Sequence, residues 1–438
     1  MDCKGIFRAL DGADIPYCHW KSNEHILAGL QGRTDLDVYI PPSAVETARA
    51  VLRREGWLLL TIQKDAMGTE DWLGFSEQSG SLFHIHLHTV FPIGSTKRKI
   101  FTVPAFDPME HTEVLEGVRV INAHQEQELL IARIVMKSTL RQVLRVLCKG
   151  RTLYPENIIR EVEWLSQRVP HAPLAPKIFS GCSAFILKSV HEHIREGTAS
   201  IIRLWLLSLA LRVCMINTIS LRRLCLGRIV RNRKKTIVGR GGVFAFIGVD
   251  GSGKTTLTEA LAAWAGWKLS VRVVYLGLPK KTFLHRCIRR VCYALSPKGG
   301  LFHVWSAIYR VHQSRSAARM ARRGTIVLTD RYPLPMLWHE TPTIDGPRAV
   351  GVWGVLERKI YTQVIPPTES IYVRVSLSSL IARDTHTSIE QKKHKFKLLE
   401  EAVSEDRHVT ILNGESSREE ALLEAKKTLW KKLYALSK

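Results

Sequence analysis

The run Gly248-Val249-Asp250-Gly251-Ser252-Gly253-Lys254-Thr255-Thr256 constrains this chain more than any other stretch of it. It has the form G-x-x-x-x-G-K-[ST], and its flanks have the order that form requires. Val243 to Ile247 is an apolar run of strand type, and the residues from Thr256 onward are compatible with a helix. Glycines let the backbone turn successive N–H groups inward around a phosphate, and the helix N-terminus behind them adds partial positive charge. Lys254 brings a flexible cation to the phosphates, and Thr255 brings a hydroxyl for Mg²⁺. Gly248, Gly251, Ser252, Gly253, Lys254, Thr255 and Thr256 are therefore expected to hold the phosphates of a nucleoside triphosphate, ATP, with Mg²⁺. The expected chemistry is transfer of the terminal phosphoryl group.

The 438 residues leave room for two or three domains around this loop. A hydrophobic share of 45% and a charged share of 24% are those of an ordinary globular protein. The charge balance is not ordinary: 64 Lys and Arg stand against 40 Asp and Glu, a net +24. That excess favours polyanionic partners, whether nucleotide, nucleic acid or an acidic membrane surface. Eight cysteines are scattered without a C-x-x-C pair, which argues against a disulfide scaffold or a zinc ribbon. The first residues show no secretory signal, so a reducing cytoplasm is the expected location.

Residues 201–240 hold ten Lys and Arg and no acid. Within them Leu204 to Leu221 is mostly apolar and 18 residues long, with Arg212 in its middle. A charge there is costly in hydrocarbon, so a buried helical hairpin is expected. A basic helix lying on anionic lipid, or contact with nucleic acid, is the alternative for this segment. The composition is compatible with a dimer without requiring one.

The longer string G-x-D-G-x-G-K-T-T resembles thymidylate kinases more than ATPases or GTPases. The resemblance extends over about residues 242–438. Thr325 to Leu328 is an apolar strand that runs on into Thr329-Asp330-Arg331-Tyr332, similar to that family's second motif. What the resemblance implies is that Asp250 faces the acceptor sugar, that Asp330 reaches Mg²⁺ through water, and that Arg331 bridges donor and acceptor phosphates. It also implies an acceptor contact from Arg310, on the arginine-bearing helix (Arg310, Arg315, Arg319) before that strand. The strand Ser370 to Val375 and the helix with Arg383 resemble the approach to a kinase lid, which would carry Arg383, Lys392, Lys393 and Lys395. Val409 to Leu412 would be a last strand, with Asn413-Gly414 bordering the adenine. Two segments depart from the pattern: Tyr275 to Lys281 replaces the family's Arg-Glu-Pro, and Pro333-Leu334-Pro335 follows the Asp-Arg-Tyr. These departures leave the acceptor open.

In the N-terminal half, Asp35 to Ile40 reads as a strand ended by Pro41-Pro42 and followed by a helix from Ala44 to Glu55. Trp57 to Ile62 and Ser81 to Val90 read as further strands. Residues from about 124 to 222 read as helical, Gln127 to Leu147 forming one long apolar-periodic stretch. Cys18-His19-Trp20-Lys21-Ser22 precedes Asp35-Leu36-Asp37 by twelve residues, an arrangement that resembles nucleotidyltransferases. Residues i and i+2 of a strand face the same way, so Asp35 and Asp37 could share Mg²⁺. By the resemblance Ser22 would contact a phosphate, and a third carboxylate would come from the strand Phe83 to His88. His86 stands in that place. His84, His86 and His88 share a face that could bind zinc, but no complementary ligand cluster accompanies them in the sequence.

The expected architecture is α/β in two parts. One is a nucleotidyltransferase-like domain (1–125) with a helical extension (126–200). The other is a P-loop NTPase fold (241–438), a parallel sheet covered by helices, and a basic connector (201–240) joins them. The expected function is ATP-dependent phosphotransfer to a small, nucleotide-like acceptor. Phosphorylation of a sugar or envelope-polymer precursor is one alternative, and nucleotide-gated binding of another partner is a second.

Overall fold

The computed structural model describes residues 3–61, 68–95, 98–104, 106–149, 156–169, 174–195, 200–219, 235–277, 283–333, 349–383, 388–405 and 409–437. The chain is α/β and divides into two compact units, Met1–Arg233 and Lys234–Lys438.

The first unit is built on a mixed sheet. Its strands are β1 (Cys18–His19), β2 (Asp35–Tyr39), β3 (Leu58–Thr61), β4 (Thr69–Phe75), β5 (Leu82–His88), β8 (Thr112–Leu115) and β9 (Val118–Ile121). They lie in the order β3-β4-β5-β2-β1-β9-β8. A separate hairpin pairs β6 (Pro92–Ser95) with β7 (Arg98–Thr102). Central strands β2 and β5 run parallel, with Asp35 opposite His84, Asp37 opposite His86 and Tyr39 opposite His88. Strand β4 runs antiparallel on the other side of β5 and sets Asp71 opposite His86.

The alternation of side chains decides which face each residue takes. Leu36, Val38, Phe83, Ile85 and Leu87 are buried in one core, against the helices Cys3–Asp11 and Val45–Arg54. Asp35, Asp37, His84, His86 and His88 consequently share the opposite face. A second core gathers Trp20, Phe91 and the helix Ala123–Lys137. That helix is buried on nearly all sides, Gln125, Glu126, Gln127 and Glu128 included, and Asn122 caps its start by accepting from the Gln125 N–H at 2.9 Å.

The long helix expected over Gln127 to Leu147 is interrupted: one helix ends at Lys137 and another runs from Leu140 to Lys149. Ser138 between them is extended, and its hydroxyl bonds the Ile134 carbonyl, a local bond that competes with helix propagation. Arg212 explains the charge within the apolar segment. It lies on the helix Ile201–Cys214, and its guanidinium donates to the Met136 carbonyl at 3.1 Å and the Ser138 carbonyl at 3.5 Å. Those are the carbonyls a helix C-terminus leaves without intrahelical partners. Among the described residues no helix is long and apolar enough to cross a membrane. Most of the basic run, residues 220–234, lies outside the described residues.

The second unit is built on a parallel sheet covered by helices. Besides the short β10 (Thr236–Ile237) it contains β11 (Val243–Ile247), β12 (Val271–Tyr275), β13 (Ile326–Asp330), β14 (Glu369–Arg374) and β15 (Val409–Asn413). The last five lie in the order β12-β13-β11-β14-β15, all parallel. Val243, Phe244, Ala245, Phe246 and Ile247 are all buried, as a central strand covered on both faces requires. In such sheets ligands bind beyond the carboxyl ends of the strands. Here those ends bring Gly248 after β11 next to Asp330 at the end of β13, since Phe246 pairs in register with Asp330.

Candidate functional site

The loop after β11 turns on glycines with left-handed backbone: φ is 89° at both Gly251 and Gly253. Gly253 is the N-cap of the helix Lys254–Ala265, so the loop delivers the chain directly to a helix N-terminus. Gly248 has φ 153°, and a Cβ there would stand 2.7 Å from the Ser252 hydroxyl and 3.0 Å from the Val373 carbonyl. Side chain and backbone both disfavour any other residue at this position.

A cleft of about 490 Å³ opens on this loop. It is lined by Asp250, Gly251 and the Gly253–Thr256 segment, together with Tyr275, Asp330 and Arg331. Ser252 is buried behind the loop, and its N–H donates to the Val249 carbonyl at 3.1 Å. Lys254 folds its ammonium back over the loop, donating to the Val249 carbonyl at 2.8 Å and the Ser252 hydroxyl at 3.4 Å. Thr255 Oγ1 donates to Asp330 Oδ2 at 2.8 Å, which ties the first residues of the helix to the end of β13. The other oxygen, Asp330 Oδ1, is buried and accepts no hydrogen bond from the described residues.

Arg331 follows with φ 66°, a left-handed turn that costs a residue with a side chain about 1 kcal/mol or more. Its Nη2 donates to Asp250 Oδ1 at 2.8 Å, and its guanidinium lies 5.9 Å from the centre of the Tyr275 ring. Asp250 Oδ2 accepts from Lys395 Nζ at 2.6 Å. Burial alone would raise the Asp250 carboxyl. The hydrogen bond from Lys395 and the charges of Arg331, Lys395 and Lys254 outweigh burial and hold it below the usual carboxylate range. Three cations and two carboxylates thus meet at one cleft, an arrangement suited to a strongly anionic ligand.

The remaining residues singled out from the sequence fall elsewhere. Arg310 is 2% exposed, hydrogen-bonded to the Tyr361 hydroxyl within the core, and is not part of the cleft lining. Arg383 ends the helix Leu377–Arg383 and turns to the loop after β15, donating to the Gly414 carbonyl at 3.2 Å beside Glu415. Lys392 is buried and donates to the Leu380 carbonyl at 3.2 Å, so the lysine-rich helix is not solvated all round. Residues 278–282, 334–348 and 384–387 lie outside the described residues. They include most of the departing acceptor segments and part of the expected lid.

In the first unit, the face of β2, β4 and β5 carries a second cluster. Asp37 is engaged by Lys21 at 2.8 Å and by His88 at 2.9 Å; the Lys21 charge and the His88 hydrogen bond, together with His86, hold its carboxyl well below the usual range despite burial. His88 itself is pushed down to about 3, chiefly by burial. Asp35 faces His84 and His86 instead. The two carboxylates expected to share one ion are therefore divided between different partners. Ser22 has φ 57°, and its hydroxyl lies 3.2 Å from both Glu161 and Arg133. The complementary ligand cluster not found in the sequence exists: Asp35, His84 and His86 offer atoms all within 4.8 Å of one another, and Asp71 stands against both histidines. Sequence reasoning missed Asp71 because β4, Thr-Glu-Asp-Trp-Leu-Gly-Phe, has no clean alternation. The signal available was an acid directly before an apolar aromatic run.

No protein-family model matches the sequence, and no curated protein matches it. Among solved structures the chain is similar to one described as the crystal structure of APE1195, with 20% identity over 45% of this chain and 98% of that one, at a TM-score of 0.26.

Proposed function

We propose that the Lys234–Lys438 unit is an ATP-dependent phosphotransferase resembling thymidylate kinase, acting on a nucleotide-like acceptor. The observation that supports it most is the Thr255–Asp330 hydrogen bond beneath a glycine loop that leads into a helix N-terminus. It sets a hydroxyl and a carboxylate beside the position that phosphates would take. The buried Asp330 Oδ1, which accepts no hydrogen bond from the described residues, suits a metal-bound water as its donor. Thr255 and Asp330 would hold Mg²⁺, which when bound supplies positive charge to the terminal phosphates of ATP.

The residues of the chain do the positioning. The N–H groups of Gly251 to Thr255 receive the phosphates, and the Lys254 ammonium exchanges the Val249 carbonyl for a phosphate oxygen. Asp250 accepts a hydrogen bond from the acceptor and orients its attacking oxygen. That oxygen bonds to the γ-phosphorus as the bond to the β,γ-bridging oxygen breaks, and ADP leaves with that electron pair. Lys254 and Arg331 stabilise the charge on the moving group, and Arg383 would leave the Gly414 carbonyl to close the site against water.

A transfer assay with γ-labelled ATP over nucleoside monophosphates, sugars and oligonucleotides tests this reading. Label is expected on a nucleoside monophosphate. Transfer to a sugar alone would move the acceptor class, and ATP binding without transfer to any acceptor would overturn the kinase reading.

A further inference from the structure

The strand face of the first unit supports a separate assignment. His84 and His86 each present both ring nitrogens to carboxylates. His84 Nε2 and His86 Nδ1 face the same oxygen, Asp71 Oδ1, at 3.2 and 2.7 Å. His84 Nδ1 and His86 Nε2 face Asp35, at 2.9 Å from Oδ1 and 3.3 Å from Oδ2. A neutral imidazole has one N–H and one lone pair, whereas an ionised carboxylate only accepts. The tautomer with both N–H groups directed to Asp71 turns the other two ring nitrogens, as lone-pair donors, toward Asp35. In that tautomer a cation between the rings and Asp35 is held by all three residues. The two ring centroids are 4.5 Å apart and His84 is fully buried.

We propose that Asp35, His84 and His86 form a binding site for a divalent transition metal of the zinc and iron class. Asp71 orients both imidazoles from behind. Tetrahedral metal–ligand bonds of about 2.0–2.2 Å place neighbouring ligand atoms about 3.3–3.6 Å apart; the Asp35 contacts, at 2.9 and 3.3 Å, lie at or just inside that spacing. A carboxylate accepting the outer N–H of each ligating histidine fixes the tautomer that leaves the inner nitrogen free to bind, as at many metal centres. The donor set of two imidazoles and one carboxylate selects zinc, iron(II) or cobalt over Mg²⁺, which prefers oxygen alone. Exposure differs across the cluster: the Asp71 and His84 side chains are 5% and 0% exposed, His86 and Asp35 25% and 29%. One side is closed by protein and the other admits solvent, so a water or a substrate oxygen can complete the coordination.

The test uses the full chain, stripped with a chelator and then loaded with Zn²⁺ or Co²⁺ and desalted. Metal is counted by mass spectrometry, and Co²⁺ is followed by its visible absorption. One equivalent of metal, unaffected by excess Mg²⁺, is expected, with a Co²⁺ band showing nitrogen ligation. H86Q, at the partly exposed position, should lose at least tenfold in affinity. D71N should bind with roughly 10–100-fold lower affinity. H111Q, at an exposed histidine outside the cluster, should bind like the wild type, and circular dichroism verifies that each variant is folded. Absence of stoichiometric Zn²⁺ or Co²⁺ in the folded wild type would overturn the assignment, as would unchanged binding in folded H86Q or displacement by Mg²⁺.

Discussion

Lys254 rests on a carbonyl of its own loop, and Asp250 holds two cations, Arg331 and Lys395. Under the proposed reading these contacts are exchanged for phosphate and acceptor oxygens. Lys254→Ala should therefore lower the rate of transfer by about 100-fold or more while leaving the circular dichroism spectrum unchanged. A comparable rate in the variant would remove Lys254 from the mechanism. Gly248→Ala tests the loop itself. Its Cβ would meet the Ser252 hydroxyl and the Val373 carbonyl at a backbone angle unfavourable to alanine, so destabilisation of about 1–3 kcal/mol is expected in urea unfolding. At this scale the sequence was informative about the loop because the glycine pattern is a backbone requirement. Arg310 was less legible. A buried arginine against a tyrosine and an arginine in a cleft look alike in a helical arginine run, and only the packing separates them.

Among the elements, β2, β3, β5 and the helix Val45–Arg54 were legible, whereas β1, β4 and β6 to β9 were not. The alternation in Asp35–Tyr39 and Leu82–His88 was visible, and with it the shared face of the acids and histidines. Strand β4 was not visible, and Asp71 went with it. The helix break at Ser138 was missed because the apolar period continues across it, whereas the cause is a side-chain-to-backbone bond and a distant arginine. That arginine supplies an element-scale prediction. Arg212→Met keeps the apolar stem but removes the donor to the carbonyls of Met136 and Ser138. A loss of about 1–3 kcal/mol in unfolding free energy is expected, measured in urea, because hydrogen bonds from charged donors are worth this much. No change would mean that the arginine serves packing alone.

For the whole molecule, buried acids should set how stability varies with pH. The Glu24 carboxyl is pushed up to about 8, first by burial and then by the charges of Glu161 and Glu126, and burial pushes Glu126 up to about 7. Both carboxyls bind protons more tightly in the folded chain than in the unfolded one. Their contribution to stability is full below about pH 4.3, the ordinary glutamate value, and is lost as pH rises toward 8. Glu24→Gln should reduce the decline in urea midpoint between pH 5 and pH 8, and an unchanged decline would show that Glu24 does not contribute to it. In the second unit the glycine loop, Thr255, Asp330 and Arg331 meet at adjacent strand ends. The most direct measurement is label transfer from γ-labelled ATP to nucleoside monophosphates by the wild type and by Asp330→Asn, with Mg²⁺ present. Transfer by the wild type and a loss of about 100-fold or more in the variant are expected. Bound ATP with no transfer by the wild type, or equal transfer by both proteins, would contradict the kinase reading.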